Sequence, residues 1–109
     1  MPGYVFRLIA PRPTFAVDMS SDERATMLQH VGYWTELMAQ GKVIAFGPVS
    51  DPAGAYGLGV ILADDLAAAE ALRDGDPAVR SSHGFRAELA PMLRLVTPDG
   101  THDAVADPS

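Results

Sequence analysis

The segment 20–49 constrains the fold of this chain most strongly, because it predicts one long helix that is followed at once by a strand. Ser20 and Glu23 have the spacing of a capping box, in which each side chain accepts a hydrogen bond from the other residue's backbone N–H. Apolar residues then recur with helical spacing, and Gly41 supplies the left-handed residue that commonly ends a helix. The sequence therefore predicts a helix from about Ser21 to Gln40.

His30 falls on the apolar side of this predicted helix. At about 100° per residue it lies within an arc of large apolar side chains and away from the polar face. The apolar members of that arc are Met27, Val31, Trp34, Leu37 and Met38. A histidine in this position is either a core side chain satisfied by one hydrogen bond or a titratable group that points into a pocket. The helix alone leaves both interpretations open.

Four segments have the composition of strands, and two helical segments interrupt them. The strands are predicted at 4–10, 42–49, 56–63 and 84–96, and the second helix at 66–73. Pro91 interrupts the last of these strands. Turn-forming residues at 51–54 predict a hairpin between the second and third strands. The order β, α, β, β, α, β is the split βαβ arrangement called ferredoxin-like. We therefore expect an α+β protein with a four-stranded antiparallel sheet and two helices on one face.

Glycines in the strands predict open surfaces on this sheet. Gly57 and Gly59 share one face of the third strand, so either another group packs there or a cavity opens. Gly47 and Pro48 end the second strand, where a ligand or a sheet edge is expected. The sheet face without helices is too apolar for water, and a two-fold homodimer would cover it.

Composition limits the partners and the location of the protein. The 109 residues suffice for one domain, expected at 1–96, with a flexible tail at 97–109 that is rich in Asp, Pro and Gly. A net charge of −6 with eight scattered basic residues argues against nucleic acid and acidic membranes. The chain has no cysteine, and its three histidines lack metal-ligand spacing, so we expect neither a metal nor another cofactor. Without a signal sequence, a cytoplasmic location and a small-molecule or protein partner are expected.

Three short motifs, taken in order, resemble the YCII-related family. They are the helix 27–40 with His30, the run 41–48, and the segment 76–91 that begins Asp-Pro. The resemblance extends over nearly all of residues 4–95. It implies a ferredoxin-like subunit assembled as a dimeric α+β barrel, with a histidine and an aspartate meeting in a pocket as the active site. By position these residues are His30 and Asp76.

A histidine paired with a carboxylate is an acid/base group. The carboxylate fixes the tautomer of the imidazole and leaves the other ring nitrogen to accept a substrate proton. With no cysteine and no G-x-S-x-G motif, the sequence offers no nucleophile for acyl transfer. It favours a lyase or isomerase that uses His30 and Asp76. The alternative is a non-catalytic ligand-binding or interaction module, and Asp76 before Pro77 has the position of a helix N-cap in either case.

Five further residues are candidates for substrate binding. They are Arg12, Tyr33, Trp34, Gly47 and Pro48. Trp34 also fits a core position, and Arg12 also fits the exposed surface.

Overall fold

The structure, a computed structural model, describes residues 1–104 and has mixed α+β architecture. Its elements, in chain order, are β1 Gly3–Ile9, α1 Phe15–Asp18, α2 Ser21–Ala39, β2 Val43–Val49, β3 Tyr56–Leu62, α3 Leu66–Asp74, α4 Pro77–Arg80, β4 Arg86–Pro91, β5 Arg94–Thr97 and β6 Gly100–Asp103. The predicted α+β class is confirmed. Within residues 1–104, no helix is both long enough and apolar enough to cross a membrane.

Strands β1 to β4 form the predicted four-stranded antiparallel sheet in the order β2-β3-β1-β4. Phe6 in the centre of β1 lies opposite Gly59 of β3 on one side and Leu89 of β4 on the other. A register shift between Val43 and Ala45 interrupts the pairing of β2 with β3. The central strands are therefore β1 and β3, and β2 and β4 form the edges.

The core lies between one face of the sheet and the helices. Tyr4, Phe6 and Leu8 alternate along β1, and all three are buried in a cluster with residues of α2, α3 and α4. The rings of Phe6 and Trp34 lie 4.8 Å apart between their centroids. Trp34 thereby joins α2 to the centre of the sheet.

The opposite face of the sheet carries apolar side chains that are only partly buried. Val5 and Val60 are cross-strand neighbours on this face. The guanidinium of Arg7 lies 4.4 Å from the centroid of the Tyr56 ring and forms an ion pair of 3.1 Å with Glu88. This face therefore has an apolar middle and one charged pair towards β4.

The last strand, predicted over 84–96 with an interruption at Pro91, is right only as far as Pro91. Strand β4 ends at Pro91, and β5 pairs with β6 in a separate hairpin. Leu95 of β5 is buried, and a Cβ atom added to Gly3 would lie 2.8 Å from its Cδ2 atom. Close contact with the start of β1 therefore holds the hairpin. The flexible tail predicted from Thr97 falls partly in this hairpin, and its residues 105–109 lie outside the described part of the chain.

Candidate active site

His30 and Asp76 lie in direct contact, although 46 positions separate them in the sequence. The Nδ1 atom of His30 is 2.8 Å from Oδ2 and 2.9 Å from Oδ1 of Asp76. Asp76 is 0% exposed and His30 is 8% exposed. The pair is thus shielded from water on the carboxylate side.

Three donors converge on the Asp76 carboxylate. Besides His30, the indole Nε1 of Trp34 donates to Oδ2 at 2.8 Å, and the backbone N–H of Ala78 donates to Oδ1 at 2.9 Å. The last bond arises because Asp76 is the N-cap of α4, with Pro77 at the first helical position. These bonds satisfy the buried carboxylate and hold it in one orientation.

The bond to Asp76 determines which ring nitrogen of His30 is free to accept a proton. An ionised carboxylate only accepts hydrogen bonds, so Nδ1 must carry a proton to bond with it. Within residues 1–104, Nε2 of His30 has no hydrogen-bond partner. In the neutral ring, Nε2 is therefore the basic nitrogen.

A cavity of about 240 Å³ adjoins His30 between α2 and the sheet, and it is partly open to solvent. Gly57 and Gly59 form part of its wall, because the core face of β3 has no side chain at these two positions. The sequence left packing or a cavity as alternatives at these glycines, and the structure has a cavity. Trp34, Gly47 and Pro48, three of the candidates for substrate binding, also line it.

Arg12 and Tyr33 lie outside the cavity lining. Arg12 donates to Glu23 and Asp18, each at 2.8 Å. The Tyr33 hydroxyl donates to the carbonyl of Leu72 at 2.6 Å. Burial raises the pKa of Tyr33, and the negative charges of Asp76 and Asp74 raise it further. The structure thus places both residues in supporting contacts around the cavity.

One wall of the cavity was not foreseen from the sequence. No helix or strand was predicted for residues 14–19, but they contain the one-turn helix α1. Phe15, Ala16 and Met19 of this segment line the cavity. The Phe15 ring packs edge-on against Phe85, with 5.1 Å between the centroids. The i, i+4 spacing of Phe15 and Met19 is the one signal in the sequence for this apolar wall.

Arg12 ties this α1 wall to the start of α2. It bridges Asp18, the last residue of α1, and Glu23, a member of the capping box that begins α2. The hydrogen bonds from Arg12, followed by the backbone bond from Ser20, lower the pKa of Glu23 to about 2. The same contacts raise the pKa of Arg12. The bridge therefore persists as a fully ionised pair down to acidic pH.

The remaining described histidines and acidic residues do not form a metal centre. Among residues 1–104, no three side chains of the His, Asp and Glu types are grouped so as to hold a metal ion. The Nε2 atom of His83 and the Thr26 hydroxyl form a hydrogen bond of 3.0 Å. This contact connects the loop after α4 to α2.

Comparison with known protein families gives a match over most of the chain. The family model described as the YCII-related domain matches residues 4–93. The chain belongs to the YCII-related family. No curated protein matches the chain significantly. His30, Asp76 and the cavity of this YCII-related protein lie within the matched range, whereas the β5–β6 hairpin lies outside it.

Proposed function

We propose that this YCII-related protein is an acid/base enzyme of the lyase or isomerase type that moves a proton on a small organic substrate. His30 is the group that exchanges the proton, through Nε2, and Asp76 orients the ring. The observation that supports this proposal best is the bond from His30 Nδ1 to a fully buried carboxylate beside an apolar cavity. Asp76 acts through His30 and is a positioning residue.

The surroundings of His30 suit proton transfer better than covalent catalysis. Cysteine is absent from the sequence, and among the described residues no serine or threonine lines the cavity. A neutral imidazole with one free nitrogen is a suitable general base near neutral pH. The apolar walls keep bulk water from much of the bound substrate, which protects a carbanion or enolate from competing proton transfers. Elimination and isomerisation both need such a base.

Hydrogen exchange on a carbon acid tests this proposal. Angelica lactone and acetophenone each carry weakly acidic C–H bonds next to a carbonyl, and they are small enough for the cavity. In heavy water, the wild-type protein is expected to speed deuterium incorporation into at least one of them by about 100-fold or more over His30→Ala, the usual contribution of a general base.

His102→Ala is the matched control for that experiment. His102 lies on β6 and bonds to the carbonyl of Met1, away from the cavity lining. This variant should exchange deuterium as fast as the wild type. Equal rates for the wild type and a folded His30→Ala variant, with both probes bound, would contradict the proposed role of His30.

A second candidate function is binding without catalysis. It is favoured by one observation, which is that Asp76 also caps α4 and holds Trp34, so its burial has a structural reason. In that case His30→Ala would lower the free energy of unfolding and leave the exchange rates of both probes unchanged. The exchange measurement therefore separates the two functions.

We also propose that the ferredoxin-like subunit forms a two-fold dimer through the open face of the sheet, as in a dimeric α+β barrel. The partly buried apolar residues around Val60 support this arrangement, since a soluble chain rarely leaves a large apolar patch uncovered. Val60→Lys should give monomers in sedimentation analysis. Val17→Lys, at a position that is 87% exposed on α1, should leave the dimer intact. A wild-type monomer would refute this assembly.

A further inference from the structure

The chemistry of the cavity wall restricts the substrate further. We infer that the cavity takes an uncharged, largely flat ring compound with one hydroxyl or carbonyl group, and that it excludes carboxylates and phosphates. This inference rests on the proposed function for the reaction, but it concerns which ligand binds. Three properties support it, namely the charge of the wall, its shape and its volume.

The wall offers no counter-ion for an anionic ligand. Among residues 1–104, no Lys, Arg, Asp or Glu side chain lines the cavity, and His30 is its one imidazole. Arg12, beside the α1 wall, is already paired with Asp18 and Glu23. Transfer of a carboxylate into apolar surroundings is very costly unless a cation or several donors pair with it. A phosphate would meet the same cost.

His30 does not compensate for a second anion. Its Nδ1 proton is already bonded to Asp76, whose negative charge lies directly behind the ring. A carboxylate at Nε2 would therefore face one imidazole shared between two anions. A neutral hydroxyl or carbonyl group meets no such repulsion, and either one forms a hydrogen bond with Nε2 in one of the two protonation states of the ring.

The shape of the wall matches a flat ring. Gly57 and Gly59 leave bare backbone on the β3 side, and six aromatic residues also contribute to the lining. They are Phe6, Phe15, Trp34, Phe46, Tyr56 and Phe85. Aromatic side chains pack favourably on other rings in offset or edge-on arrangements. An unbranched or bulky aliphatic ligand would make fewer favourable contacts with these rings.

The volume limits the size of that ring compound. An engineered apolar cavity of about 150 Å³ is known to bind benzene. At about 240 Å³, the present cavity is large enough for a single ring with one or two substituents. It is smaller than the sites of roughly 300–1,000 Å³ that hold drug-sized ligands.

Two pairs of single-ring probes, each with one neutral compound and one carboxylate, test the inference by calorimetry near neutral pH. Acetophenone is compared with benzoate, and para-cresol with para-toluate. The neutral member of each pair should bind at least about tenfold more tightly, because it buries no unpaired charge. Equal or tighter binding of both carboxylates would overturn the inference, and so would failure of both neutral probes to bind.

A cavity-filling variant shows whether binding occurs at this site. A Cβ atom at position 59 would lie 3.7 Å from Phe46 and Phe6, in ordinary contact, so Gly59→Ala is expected to fold while reducing the cavity. Gly32→Ala is the matched control, since a Cβ there meets nothing within 4 Å. Gly59→Ala should weaken acetophenone binding at least about fivefold, because the added methyl group would take up part of the space that the ring fills in a well-packed pocket. Unchanged binding in Gly59→Ala would overturn the inference.

The binding and exchange measurements together separate an error in the ligand class from an error in the acid/base role of His30. If the carboxylates bind best but deuterium exchange still depends on His30, the ligand class is wrong and the acid/base role stands. If the neutral probes bind best but exchange is independent of His30, the ligand class stands and the acid/base role is refuted.

Discussion

Replacement of Asp76 tests most sharply whether its carboxylate organises this region of the protein. Asp76→Ala removes the acceptor of three buried donors, on His30, Trp34 and Ala78. A buried donor left without a partner costs about 1–3 kcal/mol, and the effects of neighbouring groups are not additive. Because the partners can relax and water can enter, we expect the free energy of unfolding to fall by about 3–5 kcal/mol, the range seen when one partner of a buried pair is removed.

Asp76→Asn should have an intermediate effect. The amide retains the size of the side chain, but one carboxylate oxygen becomes an NH₂ donor. In one orientation this NH₂ faces the N–H of Trp34, and in the other it faces the N–H of Ala78. Either orientation leaves one donor without an acceptor, so a loss of about 1–3 kcal/mol is expected.

The assay is urea unfolding followed by Trp34 fluorescence, with Asp65→Ala as the matched control. Asp65 is also a helix N-cap, but it is exposed and accepts one bond, from Ala68. Loss of such a cap typically costs about 1 kcal/mol. The reasoning is refuted if Asp76→Ala costs no more than Asp65→Ala.

Three further predictions concern Glu23, Gly75 and Gly54. Glu23 has its pKa lowered from 4.5 to about 2 in the folded state, so its contribution to stability is present above pH 4.5 and is lost as the pH falls towards 2. Arg12→Gln should reduce the fall in melting temperature between pH 4.5 and pH 2. Parallel plots of melting temperature against pH for the variant and the wild type would contradict this. A Cβ at Gly75 would overlap the Tyr33 hydroxyl, so Gly75→Ala should lower stability by about 1–3 kcal/mol in urea unfolding, and adding Tyr33→Phe should restore part of it. Gly54→Ala should also lower the melting temperature, because Gly54 has a φ of 125° and an added Cβ would lie 2.9 Å from the Pro13 backbone. A variant that melts at the same temperature as the wild type would refute this prediction.

Local signals in the sequence predicted the regular elements well. The capping box of Ser20 and Glu23 is present, and α2 begins at Ser21 as expected. The turn-forming residues at 51–54 join β2 to β3, which are antiparallel neighbours. Each of these signals acts within a few residues, so it can be recognised without knowledge of the tertiary structure.

Contacts between distant residues could not be predicted in the same way. The bridge from Arg12 to Asp18 and Glu23 depends on how the chain turns after β1, and the sequence gives no period or motif for it. The β5–β6 hairpin was missed because the residues after Pro91 look like a continuation of the last strand, whereas they form a separate hairpin in which Leu95 lies close to Gly3. The pairing of His30 with Asp76 was inferred from the family resemblance, since spacing alone does not bring two residues from different helices together.

The tautomer of His30 tests most directly whether this side chain is a base held by Asp76. Long-range proton–nitrogen NMR correlations distinguish a protonated ring nitrogen from an unprotonated one. At a pH where the ring is neutral, Nδ1 is expected to carry the proton and Nε2 to be unprotonated, with the Nε2 signal shifting when para-cresol binds and donates a hydrogen bond from its hydroxyl group. A neutral ring protonated at Nε2 would contradict the proposed role, because the nitrogen that faces the ligand would then have no lone pair to accept a proton.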